Sequence, residues 1–139
     1  MPRYTHEGPR YYRGKIRTRG PWVALVPPLV VGAVALLLLN LGSSASTGIA
    51  GLVLGVFAAP GLLAVGAPFS SSSLYPIGIG VSVLLWLGVG FIAARRATRN
   101  PMARWADFWR DYVTMAIGIC AGAGAALAIA RWVIGEALI

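Results

Sequence analysis

The sequence predicts an all-α integral membrane protein, a bundle of four hydrophobic helical segments with a short amphipathic interfacial helix before the last. Three observations predict it. Of 139 residues, 58% are hydrophobic and only 12% charged, about half the charge of an ordinary soluble domain. The apolar residues are gathered into long runs rather than dispersed. The cations flank those runs: six (Arg3, Arg10, Arg13, Lys15, Arg17, Arg19) precede the first, and five (Arg95, Arg96, Arg99, Arg104, Arg110) separate the third from the fourth.

The elements follow in order. Residues 1–20 are polar and basic, hold Pro2, Gly8, Pro9, Gly14 and Gly20, and bury too little apolar surface to fold alone. They are expected to form a flexible cytoplasmic tail, with 21–139 as a single membrane domain. The first run, about 22–41, carries no charge and matches the roughly 20 residues a helix needs to cross a bilayer core. Pro27 and Pro28 fall in its first turns, where missing amide donors cost least. A secretory signal is the weaker reading, because the run exceeds the usual h-region and further apolar segments follow. The second run, about 49–66, is interrupted by Pro60-Gly61; the third covers about 75–94 and ends at Arg95-Arg96; the fourth covers about 112–134.

Orientation decides how the second run is read. Lysine and arginine belong on the cytoplasmic side. Four full crossings would put the two basic segments on opposite faces. If the second run instead re-enters, turning at Pro60-Gly61, both basic segments are cytoplasmic and both Ser-rich connections, 42–47 and 67–73, are outside. Helix breakers at membrane depth are tolerated where protein surrounds them. The sequence therefore favours re-entry, with a kinked full span as the rival.

Between Asn100 and Tyr112 the pattern changes. Asn100 suits a cap and Pro101 a first helical position, which predicts an interfacial helix over about 101–111. Met102, Trp105, Phe108, Trp109 and Tyr112 occupy about a third of its circumference, opposite Arg104, Asp107, Arg110 and Asp111. Asp107 is spaced to pair with Arg104 and Arg110. The aromatic face reads as a membrane anchor, or as a docking face for a partner subunit.

Small residues predict the seams. Gly51 and Gly55 form one GxxxG pair; Gly118 and Gly122 form another, continued by Ala125. Lipid supplies little hydrophobic drive between helices, so close backbone approach favours association. Packing within the chain is the simpler expectation, and packing against another membrane subunit or a second copy is the alternative.

Chemistry finds little footing. The single histidine, His6, is in the tail, and Cys120 is the single cysteine, so the sequence predicts no metal site, cofactor or catalytic group. No two carboxylates are expected to converge. Arg131 is expected near the outer end of the fourth run, snorkelling or paired with Glu136. Arg10, Arg13, Lys15, Arg17, Arg19, Arg95, Arg96 and Arg99 abut apolar runs, which suits anionic lipid head groups or a partner rather than nucleic acid. Arginine outnumbers lysine eleven to one, a bias of GC-rich bacterial genomes. The reading that follows is an accessory subunit of a larger complex in a bacterial plasma membrane, multi-pass with its N-terminus cytoplasmic. A small oligomeric channel or transporter and an anionic-lipid-binding envelope protein are the alternatives.

Overall fold

Prolines, glycines and hydroxyl caps set the helix boundaries. The computed structural model describes residues 8–66 and 71–137, and among them every regular element is helical. Helix α1 covers Pro9–Val23, with Pro9 in its first turn, where a missing amide is tolerated. A two-residue turn separates it from α2, Val26–Leu41. Proline at 27 and 28 removes the amides that would close the next helical bonds, so the chain cannot pass from α1 to α2 as one unbroken ladder.

Gly42 makes the next turn. Its amide bonds the Leu38 carbonyl at 3.0 Å, and a Cβ there would collide with that carbonyl and with Thr47. Ser44 then starts α3, Ala45–Ala58, through a reciprocal capping box. Its hydroxyl accepts from the Thr47 amide at 3.3 Å, and the Thr47 hydroxyl accepts from the Ser44 amide at 3.3 Å. Pro60 ends that helix and opens the single turn α4, Gly61–Ala64. Gly66 closes it in the left-handed region at φ 79°, a conformation that favours glycine. After a 3₁₀ turn at Ser72–Leu74, α5 runs Tyr75–Ala97 with Arg95 and Arg96 in its last turn, where cations complement the helix dipole. The last helix, α6, is Trp105–Ala137.

Three helical stretches are long and apolar enough to cross a membrane: Arg10–Leu41, Ser72–Ala97 and Trp105–Gly135, of 32, 26 and 31 residues. Helix α3 is apolar but shorter, at 14 residues, or about 21 Å.

The chain forms two compact units. Met1–Val26 with Leu84–Ala116 make the first, and Pro27–Val83 with Ile117–Ile139 the second. In the first, Ile16, Ala24, Ala94 and Phe108 are all but completely buried. In the second, Ala35, Gly51, Val56, Gly61, Ser82 and Ala123 are interior. There α3 runs back along α2. Gly51 lies against Ala35 and Leu39, and Ala58 lies 3.6 Å from a Cβ built on Gly32. Gly61 then meets α5 at Gly78 and Ser82, close to where that helix begins. Helix α3 thus lies antiparallel beside the second half of α2, and the start of α4 packs near the start of α5.

Three expectations are corrected. Residues 9–20 are helical rather than a flexible tail, because Ile16 and Gly20 are buried and hold α1 in place; residues 1–7 lie outside the described part. The interfacial helix over 101–111 is not a separate element. Asn100 Oδ1 accepts from the Met102 amide at 3.0 Å, an Asx turn rather than a helix cap. The helix begins only at Trp105 and continues unbroken into the apolar stretch. Asp107 does not pair with Arg104 and Arg110 through its side chain as expected; its Oδ2 accepts from the Arg104 backbone amide at 3.0 Å. An acid in the first turn that reaches back to the cap amide explains the later start.

Candidate functional site

In the first unit, the end of α1 and the end of α5 meet through four small residues in an antiparallel register. A Cβ built on Gly20 would stand 3.0 Å from Ala94 Cβ and 3.1 Å from Phe108 Cε2. One built on Gly90 would collide with Ala24 Cβ and come within 2.9 Å of Pro21 Cα. Gly20 therefore pairs with Ala94, and Ala24 with Gly90. Both helices carry a small residue every fourth position, which lets their backbones approach.

Beside this seam lies an aromatic cluster. Phe108 is fully buried and Tyr112 is 2% exposed. Their rings stack at 6.1 Å, Trp86 sits 6.0 Å from Tyr112, and Trp109 is edge-on to both. The Tyr112 hydroxyl donates to the Ala24 carbonyl at 2.9 Å. That carbonyl would ordinarily accept from residue 28, which is proline and has no amide to give. Tyr112 thus satisfies the acceptor left open by the break between α1 and α2. Tyr112→Phe is expected to lower stability by about 1 kcal/mol, measured by denaturant titration in detergent micelles. A change below about 0.3 kcal/mol would mean that the carbonyl finds another donor.

The second unit repeats the device. Ser82 is 2% exposed; its hydroxyl accepts from the Gly61 amide at 2.9 Å and donates to the Gly78 carbonyl at 2.8 Å. The Gly61 amide opens α4 and has no helical partner of its own. A buried hydroxyl on α5 supplies one.

The residues singled out by sequence fall into three groups. Gly51 is at a true close approach, its built Cβ 2.8 Å from Leu39 Cγ, while Gly55 makes ordinary contact, 3.9 Å from Ala35 Cβ. Gly118 and Gly122 face open space, with no atom within 4 Å of a built Cβ, and Ala125 is exposed. An α6 position that does meet another helix of its unit, Gly124, 3.9 Å from Phe57, lies nearly opposite Gly122 on the helix. Of the aromatic face, Phe108 and Tyr112 are interior, Trp105 and Trp109 are half-buried, and Met102 is exposed before the helix starts.

The basic residues of the first unit lie at the surface. Arg10, Arg13, Arg17, Arg19, Arg95, Arg96 and Arg99 are exposed and Lys15 is half-exposed. Lys15 donates to Tyr11 Oη at 3.1 Å, and Arg95 lies over the Phe91 ring at 4.6 Å. Among the described residues one ion pair is formed, Arg110 Nε to Asp111 at 4.0 Å. Arg131 is exposed; the side chain of Glu136, and the whole of His6, lie outside the described part.

Sequence reasoning missed Gly20, Gly61, Gly78 and Gly90 as contact points. Three of them, all but Gly61, were legible in a broader pattern. Gly20-x-x-x-Ala24, Gly78-x-x-x-Ser82 and Gly90-x-x-x-Ala94 are the same four-residue spacing with alanine or serine in place of one glycine. Among the described residues no group of three His, Cys, Asp or Glu side chains is placed to hold a metal ion. No protein-family model, curated protein or solved structure matches the chain.

Proposed function

We propose that the chain is a membrane-embedded accessory subunit of a larger assembly, contributing helix surface to a partner through the outer face of α6. The observation that carries this reading is the open face at Gly118 and Gly122. Glycines on a lipid-facing surface gain nothing from lipid; against a second helix they permit close backbone contact. Among the described residues that face is unused, whereas Gly51, with the same spacing pattern, is fully engaged.

The proposed topology has three crossings and one re-entrant hairpin. The first, third and fourth apolar runs cross, and α3–α4 enters and leaves from the outer face. Supporting this, α3 has 14 residues, fewer than a crossing needs, and Gly61 after it packs against Gly78 and Ser82 near the start of α5. Both basic segments then share the cytoplasmic side, a reading supported by the contact of Gly20 with Ala94, which brings their ends together in the first unit. A channel through the hairpin is the weaker reading, because the polar groups at the break bond one another. The Ser82 hydroxyl already both donates and accepts.

Labelling with an impermeant maleimide tests the topology. Single cysteines at Ser46, Ser72 and Asn100, all exposed, would be placed on a Cys120→Ala background. Thr98 is a poor probe because it is 2% exposed. Labelling of positions 46 and 72 from outside, with 100 protected, is expected. Protection of 72 with labelling of 46 and 100 would mean four full crossings. The subunit reading is tested by Gly118→Leu/Gly122→Leu. The isolated chain is expected to keep its stability to within about 0.5 kcal/mol, while association in native membrane, read by crosslinking from α6, is lost. A wild-type chain that leaves the membrane as a monomer with nothing crosslinked to α6 would overturn the reading.

A further inference from the structure

We propose that the cationic end of the first unit is a binding surface for the phosphate groups of anionic lipids, centred on Arg17, Arg19, Arg95, Arg96 and Arg99. The proposal rests on the membrane reading above and adds a ligand class to it. Three observations carry it.

The first is level. The register that sets Gly20 against Ala94 and Ala24 against Gly90 brings the residues just beyond the seam, Arg19 on α1 and Arg95 on α5, to the same height. Arg17, Arg96 and Arg99 follow within a turn or so. Cations from two helices thus form one tier beyond the apolar stretches rather than two unrelated clusters.

The second is charge without neutralisation. The described part of the first unit carries ten cationic and two acidic side chains. Both acids are committed locally, Asp107 to the Arg104 amide and Asp111 to Arg110. The five central arginines are exposed, and Arg95 is held over Phe91 at 4.6 Å, where its planar fork remains open to an oxygen anion.

The third is distribution, which decides between lipid and an acidic protein. At 100° per residue, Arg17 and Arg19 point to nearly opposite sides of α1. A protein partner covers one side of a helix, whereas a head-group layer surrounds a helix that passes through it. Next to the arginine tier stands Trp22, which is 67% exposed, with Trp105 and Trp109 half-buried on α6. A tryptophan belt adjoining a tier of arginine is the signature of a membrane–water boundary. The arginines then meet head-group phosphates, and the indoles meet the glycerol level.

The test uses the full chain reconstituted in nanodiscs of phosphatidylcholine alone or mixed with phosphatidylglycerol. Insertion is confirmed first, by protection of the apolar stretches from protease; failure to insert in either bilayer would defeat the membrane reading itself. Lipid preference is then read by native mass spectrometry of the lipids retained on the protein. Retention of phosphatidylglycerol over phosphatidylcholine is expected, falling about tenfold in Arg95→Gln/Arg96→Gln/Arg99→Gln. The same triple change to lysine should keep most of the preference, because the charge remains. Arg131→Gln, outside the tier, should leave it unchanged. Equal retention of the two lipids by inserted wild-type protein would overturn the proposal and point to an acidic protein partner. A preference that survives the glutamine changes would overturn it as well. So would loss of the preference in inorganic phosphate but not in chloride of equal ionic strength, which would assign the surface to free phosphate.

Discussion

Gly90→Ala is expected to destabilise the protein by about 2 kcal/mol, although glycine to alanine inside a helix normally stabilises by up to about 1 kcal/mol. The added methyl would collide with Ala24 Cβ and lie 2.9 Å from Pro21 Cα and 3.2 Å from its carbonyl. The nearest obstacle is a side chain, but the other two belong to backbone, and α1 cannot retreat without withdrawing Gly20 from Ala94 and Phe108. Overpacking of this kind costs about 1–3 kcal/mol, which exceeds the propensity gain. Gly90→Leu should separate α1 from α5 altogether. Gly88 on the same helix has no atom within 4 Å of a built Cβ, so Gly88→Ala is the control and should be neutral or slightly stabilising. Denaturant titration in micelles, followed by tryptophan emission, would read the difference because Trp86 lies one turn from position 90. Equal responses at 88 and 90 would mean that the seam does not exist. Ala24→Gly should recover part of the Gly90→Ala loss by removing the nearest contact, leaving the Pro21 backbone contacts in place.

How much of this was legible in the sequence depends on the physics behind each feature. Helicity and three long apolar stretches follow from composition and run length, since a 20-residue uncharged run has few other stable solutions. The helicity of residues 9–20 did not follow. Pro9, Gly14 and Gly20, with five cations among them, favour a solvated chain locally. What overrides that preference is burial of Ile16, and of Gly20 against Ala94 and Phe108, more than 70 positions away. The start of α6 was misjudged for a related reason: Asn100-Pro101 fits a cap by residue type, but the Asp107 carboxylate completes a better one at Arg104. The glycine seams divide instructively. Gly51-x-x-x-Gly55 and Gly118-x-x-x-Gly122 share a motif, yet the first engages α2 and the second faces open space. A four-residue spacing tells that a helix has a flat face; it does not tell what covers it. The basic residues were legible as a group, but their common tier depends on the Gly20–Ala94 register, a tertiary fact.

At the hairpin, Gly61→Ala is expected to cost about 3 kcal/mol, more than loss of its hydrogen bond alone. A Cβ there would collide with the Gly78 carbonyl and come 2.8 Å from Ser82 Oγ and 3.1 Å from Ser82 N. Two of these three atoms are backbone of α5. The helix turn would have to move away, breaking the 2.9 Å bond from the Gly61 amide to Ser82 and leaving a buried donor without a partner. Ser82→Ala removes the same bond without adding volume, and isolates the hydrogen-bond component. Bonds between membrane helices average about 0.6 kcal/mol with a maximum near 1.7, so Ser82→Ala should cost about 1 kcal/mol. The combination separates steric from polar effects. Ser82→Gly relieves the contact with Oγ but not those with the Gly78 carbonyl or the residue 82 amide. Adding it to Gly61→Ala should therefore rescue less than about 1 kcal/mol. Full rescue would mean that the side chain alone set the approach and that the hairpin is free to shift along α5. In that event maleimide labelling at Ser72 should also vary between preparations, because α4 would no longer be anchored on α5.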